Sequence, residues 1–240
     1  MARKSARKSA TRPVSTGPAS KSRPDTTDRE RAIDAFMDLL AEKPIEQIGF
    51  AEIAARADMT LPDLRNAFGS TIAILAAHMK NVDRAVLAAD TTEFAEEPPR
   101  ERLFDVLMRR LEVLAPHRAA IRSLSRSATC NPGLALALNA LAVRSQQWML
   151  TAADIGASGP KGMMRAQGLA MLFAGVLRTW LKDDDEGLAR TMAALDRALA
   201  RGQVWSGVLD GVCRIPACAS RLRPRRRRPR DDYDDEIVAA

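Results

Sequence analysis

The sequence predicts an all-α protein, and three observations carry that prediction. Ala, Leu, Arg and Met dominate, aromatic residues make up 4% of the chain, and alternating Val/Ile/Thr runs are almost absent, a composition that favours helices over strands. Apolar residues recur at three- and four-residue intervals, the period of a helix with one inward face. Breakers separate these runs at Pro44, Gly49, Gly69, Pro98-Pro99, Pro116, Pro132-Gly133 and Gly187.

In residues 28–43, Ile33, Phe36, Met37 and Leu40 form one apolar stripe of a first helix. Phe50, Ile53, Ala54 and Ala57 make a second helix of about two turns, and Asp58-Met59 is the tight connection to a third. Thr60 with Asp63 three residues on is an N-cap signal, Pro62 is tolerated in the first turn, Leu64 and Phe68 face inward, and Gly69 ends the helix. Helices this short cannot bury enough surface alone, so they need the first helix and a long one starting near Ser70 to form a core.

The run Glu96-Glu97-Pro98-Pro99 is expected to end that long fourth helix. Leu103, Val106, Leu107, Leu111 and Leu114 mark a fifth that stops before Pro116, and a basic helix follows near 117–127. Asn131-Pro132-Gly133 reads as a turn, with a helix over 134–153 behind it, and Gly156 to Gly162 as a loop. The apolar residues of 163–181 occupy more than one face, which implies burial on two sides. After the acidic link 183–187, Leu188, Met192, Leu195 and Leu199 make a final amphipathic helix, and Trp205, Val208, Leu209 and Val212 suggest a last short turn packing back.

The runs RERAIDAFMDLLAEKP and FAEIAARADMTLPDLRNAFGSTIAILAAHM resemble the N-terminal helix-turn-helix domain of TetR-family bacterial transcriptional regulators over about fifty residues. Ile53, Ala54, Ala57, Leu64, Phe68 and Leu75 stand where the family has apolar positions. The resemblance implies a TetR-like fold, with a small helix-turn-helix lobe over 25–75 joined to a larger helical ligand-binding and dimerisation lobe over 76–213. It implies double-stranded DNA as partner, contacted through Thr60, Leu61, Arg65, Asn66, Ser70 and Thr71. Arg65 replaces the family's usual tyrosine of the recognition helix, and Thr71 replaces its usual phosphate-binding lysine. The 161–202 region is similar to the C-terminal helices of such proteins.

Charge is distributed unevenly. Residues 1–24 hold seven basic residues and no acid, and 214–230 hold eight arginines and no acid. Both segments read as disordered tails, the second turning acidic over 231–236. The part between them carries 22 basic against 25 acidic residues, and 25–90 alone carries seven against twelve. The basic balance of the chain therefore comes from its tails, and the helix-turn-helix lobe lacks a general positive footprint. The first tail has no Leu, Ile or Phe from which a transit peptide could build an amphipathic face.

Catalytic chemistry is not visible. His78 and His117 are the two histidines, without a cysteine or carboxylate at metal-ligand spacing, so no catalytic residue, metal or cofactor is expected and the imidazoles read as solvated or packed. Three cysteines, Cys130, Cys213 and Cys218, suit neither a zinc site nor a disulfide framework and fit a reducing cytoplasm. The Gly156, Gly159 and Gly162 spacing lacks the Gly-Lys-Ser/Thr ending and preceding strand of a phosphate loop. No stretch reaches the roughly 18 apolar residues of a membrane span.

Four functions compete: a ligand-responsive repressor binding DNA as a homodimer; a TetR-like accessory protein that binds lipid, similar to the coenzyme Q biosynthesis accessory family; an enzyme; and a nonspecific nucleic-acid binder working through its tails. The first is the expectation taken forward. Helices 163–181 and 188–202 should then form the dimer interface, where Gly168, Ala170 and Gly175 allow close approach. Trp148, Met149, Met171 and Phe173 should line a pocket for a small apolar ligand behind it.

Overall fold

The computed structural model describes residues 26–89 and 96–212, with side chains over 28–89 and 96–202. Nine α-helices account for the regular structure among the described residues, and no strand occurs there. They are α1 (Thr26–Glu42), α2 (Phe50–Arg56), α3 (Leu61–Ala67), α4 (Thr71–Leu87), α5 (Pro99–Leu114), α6 (Arg118–Cys130), α7 (Pro132–Ala152), α8 (Gly159–Trp180) and α9 (Ala189–Val212). Short 3-10 turns at Ile45–Gln47 and Ala115–His117 complete the order.

Two apolar cores hold these helices. Phe36, Leu39, Leu40, Ile53, Leu64, Phe68 and Ile74 form the first, and the predicted inward stripe of α1 is its centre. Leu107, Leu111, Met149, Phe173, Val176, Trp180 and Leu195 form the second. Because α4 is about 25 Å long at 1.5 Å per residue, it reaches both, giving Ile74 and Leu75 to the first core and Val82 and Val86 to the second.

Several boundaries differ from the sequence reading. The fourth helix ends at Leu87 rather than at Glu96, because Asp90-Thr91-Thr92 offers nothing apolar where the Val82–Val86 stripe would continue. Asn131-Pro132-Gly133 is a helix start rather than a free turn: Asn131 Oδ1 accepts the Leu134 N–H at 3.0 Å, and Pro132 occupies the first turn, where no N–H is required. Helix α8 begins at Gly159, so the predicted 156–162 loop shrinks at its C-terminal end, with Pro160 again tolerated in a first turn. The last short turn is part of α9, which continues to Val212 through Gly202, Gly207 and Gly211, each a cost of about 1 kcal/mol, with no proline to stop it. The side chains of Trp205, Val208, Leu209 and Val212, and both basic tails, lie outside the described residues.

A charged cluster is built into the second core. Asp83 Oδ1 of α4 accepts Arg110 Nη1 of α5 at 2.5 Å and Ser145 Oγ of α7 at 2.6 Å. Arg110 stands 3% exposed, with its guanidinium 5.7 Å from the Phe173 ring centroid. Nearby, the rings of His78 and His117 meet edge to face with centroids 4.7 Å apart. Burial, then the charges of His117 and Arg110, push the His78 imidazole down to about 4, so it is neutral at physiological pH.

Candidate nucleic-acid interface

The helix-turn-helix is assembled by local chemistry that the sequence states directly. The turn between α2 and α3 requires a left-handed residue, and Asp58 supplies it at φ 50°, a conformation that Asp tolerates better than most side chains. Arg31 Nη1 of α1 donates to Asp58 O at 3.3 Å and fixes the turn against the first helix. At the start of α3 the Asp63 N–H donates to Thr60 Oγ1 at 3.3 Å, while the Thr60 hydroxyl donates to Asp63 Oδ2 at 2.5 Å. This reciprocal pair satisfies an orphan N–H of the helix start and orients the acid along it.

The far end of α3 is held from α1. Arg29 Nη1 donates to Ala67 O at 2.5 Å and its guanidinium lies 4.3 Å from the Phe68 ring centroid. One contact satisfies a free carbonyl of the helix end, and the other covers an aromatic face. Leu64, Ala67 and Phe68 are buried, so the opposite face of α3 is turned outward. That face carries Leu61, 51% exposed, together with exposed Arg65 and Asn66.

Arg65 is the cation on this surface. Its Nη1 donates to Gly69 O at 3.2 Å, and no carboxylate pairs with it among the described residues. The nearby carboxylates have other partners: Asp63 is engaged by Thr60, and Glu52 holds Lys43 Nζ at 2.5 and 2.6 Å. Exposed Ser70 caps α4, with its Oγ accepting the Ala73 N–H at 3.1 Å, and Thr71 opens that helix half-buried. Thr60, Leu61, Arg65, Asn66 and Ser70 are thus brought to the outer side of one helix-turn-helix, with Thr71 at its margin.

Sequence reasoning missed Arg29 and Arg31. The signal was present, since both lie within the first turns of α1, but nothing in the pattern said that α3 would end beside them. The neighbouring cations pair internally: Arg56 and Glu42 share bonds of 2.9 and 3.0 Å, and the Arg56 guanidinium lowers the Glu42 carboxyl below its usual range.

The expected ligand residues separate. Met149 and Phe173 pack inside the second core, whereas Trp148 is 59% exposed and Met171 68% exposed on the outer sides of α7 and α8. The four do not share a lining: Trp148 points about 100° away from Met149 around α7, and Met171 about 200° away from Phe173 around α8, which carries one residue of each pair out of the core. No group of three or more metal-ligating side chains occurs among the described residues, and none of the described helices is long and apolar enough to cross a membrane.

No family model matches the chain, and no curated protein matches it. Solved structures do. The chain is similar to a TetR transcriptional regulator from Nitrosomonas europaea, at 22% identity and a TM-score of 0.58, over 73% of this chain and 97% of that one. It is also similar to a TetR transcriptional regulator from Rhodococcus sp. RHA1, at 22% identity and a TM-score of 0.53, over 73% and 95% of the two chains. The fold is therefore that of TetR regulators, as the helix-turn-helix resemblance implied.

Proposed function

We propose that the chain is a transcriptional regulator that reads double-stranded DNA through α3 and acts as a homodimer joined through α8 and α9. The observation that carries this reading is the outer face of α3: its polar side chains Arg65 and Asn66 are exposed and without carboxylate partners among the described residues, while Thr60 and Arg29 hold the two ends of the helix. A major groove admits a helix presented in this way, and an arginine or an asparagine on it can bond base edges. In this reading Ser70 and Thr71 at the start of α4 meet backbone phosphates, which position without specifying.

In this reading residues 25–75 read DNA and 76–213 carry the partner and effector functions. Support for dimerisation comes from α8, where Met164, Gly168, Met171, Ala174 and Gly175 stay exposed or half-buried opposite the buried Ala166, Ala170, Phe173 and Val176. The effector is assigned to the second core, toward which Met149 and Phe173 face. Solved neighbours do not favour the lipid-accessory alternative.

The test is selection of bound sequences from random duplexes, followed by gel-shift titration of wild type and Arg65→Ala/Asn66→Ala. With each good base contact contributing about 1–3 kcal/mol, the double variant should lose at least ~10-fold in affinity for the selected sequence. Its circular dichroism should be unchanged. Equal affinity in the two proteins refutes the assignment of α3, and no enriched sequence refutes sequence-specific DNA binding altogether.

A further inference from the structure

Helix α7 carries little charge for a helix at the surface. Its 21 residues include one charged side chain, Arg144, and no acid. A helix that is apolar all round requires cover all round, and its inner side has it: Met149 and Leu150 are buried in the second core, and Ser145 is bonded to Asp83. The outer side does not. Leu136, Ala140, Arg144 and Trp148 follow one another there at four-residue steps, all exposed, with Leu136 at 71% and Trp148 at 59%. Arg144 has no hydrogen bond or ion pair among the described residues. Beside this stripe, Asn139 and Gln167 exchange two amide bonds of 3.1 and 3.0 Å, which fix the register of α8 against α7. The two helices run antiparallel through the short connection 153–158, so Met163, one turn before Gln167 on the same face of α8, stands level with Val143. This exposed methionine widens the apolar strip next to Arg144. A patch of this kind, apolar with a single cation, marks a surface that something covers.

The chain holds a segment of matching chemistry. Residues 231–238 read Asp-Asp-Tyr-Asp-Asp-Glu-Ile-Val: five acids around Tyr233, the single tyrosine of the protein, with Ile237 four residues after it. Residues four apart share a face of a helix, so the segment can present Tyr233 and Ile237 together with acids on either side. It also starts from the right place. Leu172 Cδ1 of α8 lies 3.6 Å from where a Cβ on Gly202 would stand, and α9 runs antiparallel to α8. Val212, ten residues on, is therefore about 15 Å further along and level with Gly162. The chain leaves α9 at the level of Met163 and Arg144. Eighteen residues separate Val212 from Asp231, and an open chain of that length spans about 20–25 Å.

We propose that residues 231–238 of this chain dock on the outer stripe of α7, with Tyr233 and Ile237 against Trp148 and Leu136 and the acids around Arg144. A tether of this length gives an effective concentration on the order of 1 mM, so a contact with a Kd of only ~0.1 mM is about nine-tenths occupied. The competing partner for the acids is the arginine run of 214–230 in the same tail. Exposed ion pairs of that kind contribute only about 0–1 kcal/mol and leave Tyr233 and Ile237 uncovered, whereas α7 offers an aromatic ring, an aliphatic side chain and a cation on one surface. Docking also separates the five acids from the eight arginines, which then form a basic loop held at both ends.

The test uses the full chain and needs no DNA. Because Tyr233 is the one tyrosine, protein labelled with 3-fluorotyrosine gives a single fluorine resonance, to be compared with that of a free peptide of residues 229–240. In wild type the line should be displaced from the peptide position and as broad as a folded protein requires. Trp148→Ala should weaken docking at least ~10-fold, so that occupancy falls from about nine-tenths to about one-half and the line moves at least half-way to the peptide position; Arg144→Gln should move it in the same direction. Both residues are exposed, and circular dichroism should be unchanged in either variant. The reciprocal measurement labels tryptophan with fluorine: the Trp148 resonance, identified by its loss in Trp148→Phe, should shift when 231–240 are deleted. A wild-type tyrosine line at the peptide position overturns the proposal. So does a displaced line that ignores Trp148→Ala, which would place the segment on the arginines of 214–230, and so does a Trp148 resonance indifferent to the deletion. Sedimentation in which Trp148→Ala dissociates a dimer while the tyrosine line stays in place assigns the stripe to a second copy of the chain and equally overturns it.

Discussion

Replacing Asp83 with alanine should cost more stability than any other single truncation of comparable size in the second core. Its Oδ1 is the shared acceptor of Arg110 Nη1 at 2.5 Å and Ser145 Oγ at 2.6 Å, and the Asp83 and Arg110 side chains are 12% and 4% exposed. Asp83→Ala leaves a guanidinium buried without its counter-charge, which costs about 3–5 kcal/mol, far more than the small volume removed. The Phe173 ring 5.7 Å from the guanidinium offsets part of this, so the lower half of that range is expected. At about 2–4 °C per kcal/mol for a fold of this size, the melting temperature should fall by ~6–16 °C. The diagnostic variant is Asp83→Leu/Arg110→Met, which removes both charges together and should recover most of the loss or exceed wild type. Urea unfolding of the single and double variants gives the coupling directly. A double variant as unstable as the sum of its singles would show that the ion pair contributes no coupled energy and that the reasoning is wrong.

The other predictions concern pH, one glycine and the tails. Because the His78 imidazole sits near 4 when folded, against about 6.5 in an open chain, the unfolded state takes up a proton that the native state refuses between these values. Stability should therefore fall as pH drops from 6.5 to 4, by about 3 kcal/mol in all; in urea melts His78→Leu should lose that slope, and a slope equal to wild type would contradict it. At Gly162 an added Cβ would stand 2.1 Å from the Ala157 backbone carbonyl, whereas Gly168 has nothing within 4 Å. Gly162→Ala should thus destabilise by ~1–3 kcal/mol and Gly168→Ala should not, and calorimetry showing equal melting points would refute the close approach. Deleting 1–24 and 214–240, with seven and eight basic residues respectively, should flatten the salt dependence of DNA affinity, by about 0.9 in log–log slope for every phosphate the tails neutralise. A retained slope would place the phosphate contacts in the reading lobe.

Helix existence was legible in the sequence because the apolar period survives in every segment that packs on one face. The α1 stripe of Ile33, Phe36, Met37 and Leu40 is buried throughout, and the Thr60–Asp63 spacing became a cap. What the period could not supply was the identity of a charged residue in an inward slot. Arg110 continues the run Leu103, Val106, Leu107 at the next inward position, and Asp83 falls three residues before Val86. Each reads alone as an interruption of an apolar stripe; only the meeting of α4 with α5 makes the two charges a pair. The dispersal of Trp148, Met149, Met171 and Phe173 has the same origin. Residue type selected them, but adjacent positions on a helix point in different directions, so type without phase mixed core with surface.

Phase also bears on how an acidic lobe can bring a basic residue to DNA. Of the lobe's cations, Lys43 and Arg56 are committed to Glu52 and Glu42, Arg31 to Asp28, and Arg29 to the end of α3. Those bonds set the geometry of the three short helices rather than the field around them. Exposed Asp34 and Asp38 lie one turn apart on the outer side of α1, opposite its buried stripe. On the outer face of α3, Arg65 faces outward with only the Gly69 carbonyl bonded to it among the described residues. A surface of this kind gives little nonspecific attraction, because that scales with the number of phosphates neutralised, and leaves recognition to a few directional contacts. On the proposed DNA-binding reading, the missing attraction falls to the basic residues of 1–24 and 214–230, which need not be part of the reading surface. In that reading affinity becomes tunable by salt while base choice stays with α3, which requires that α3 be held from both ends, and Thr60 and Arg29 bond its two ends.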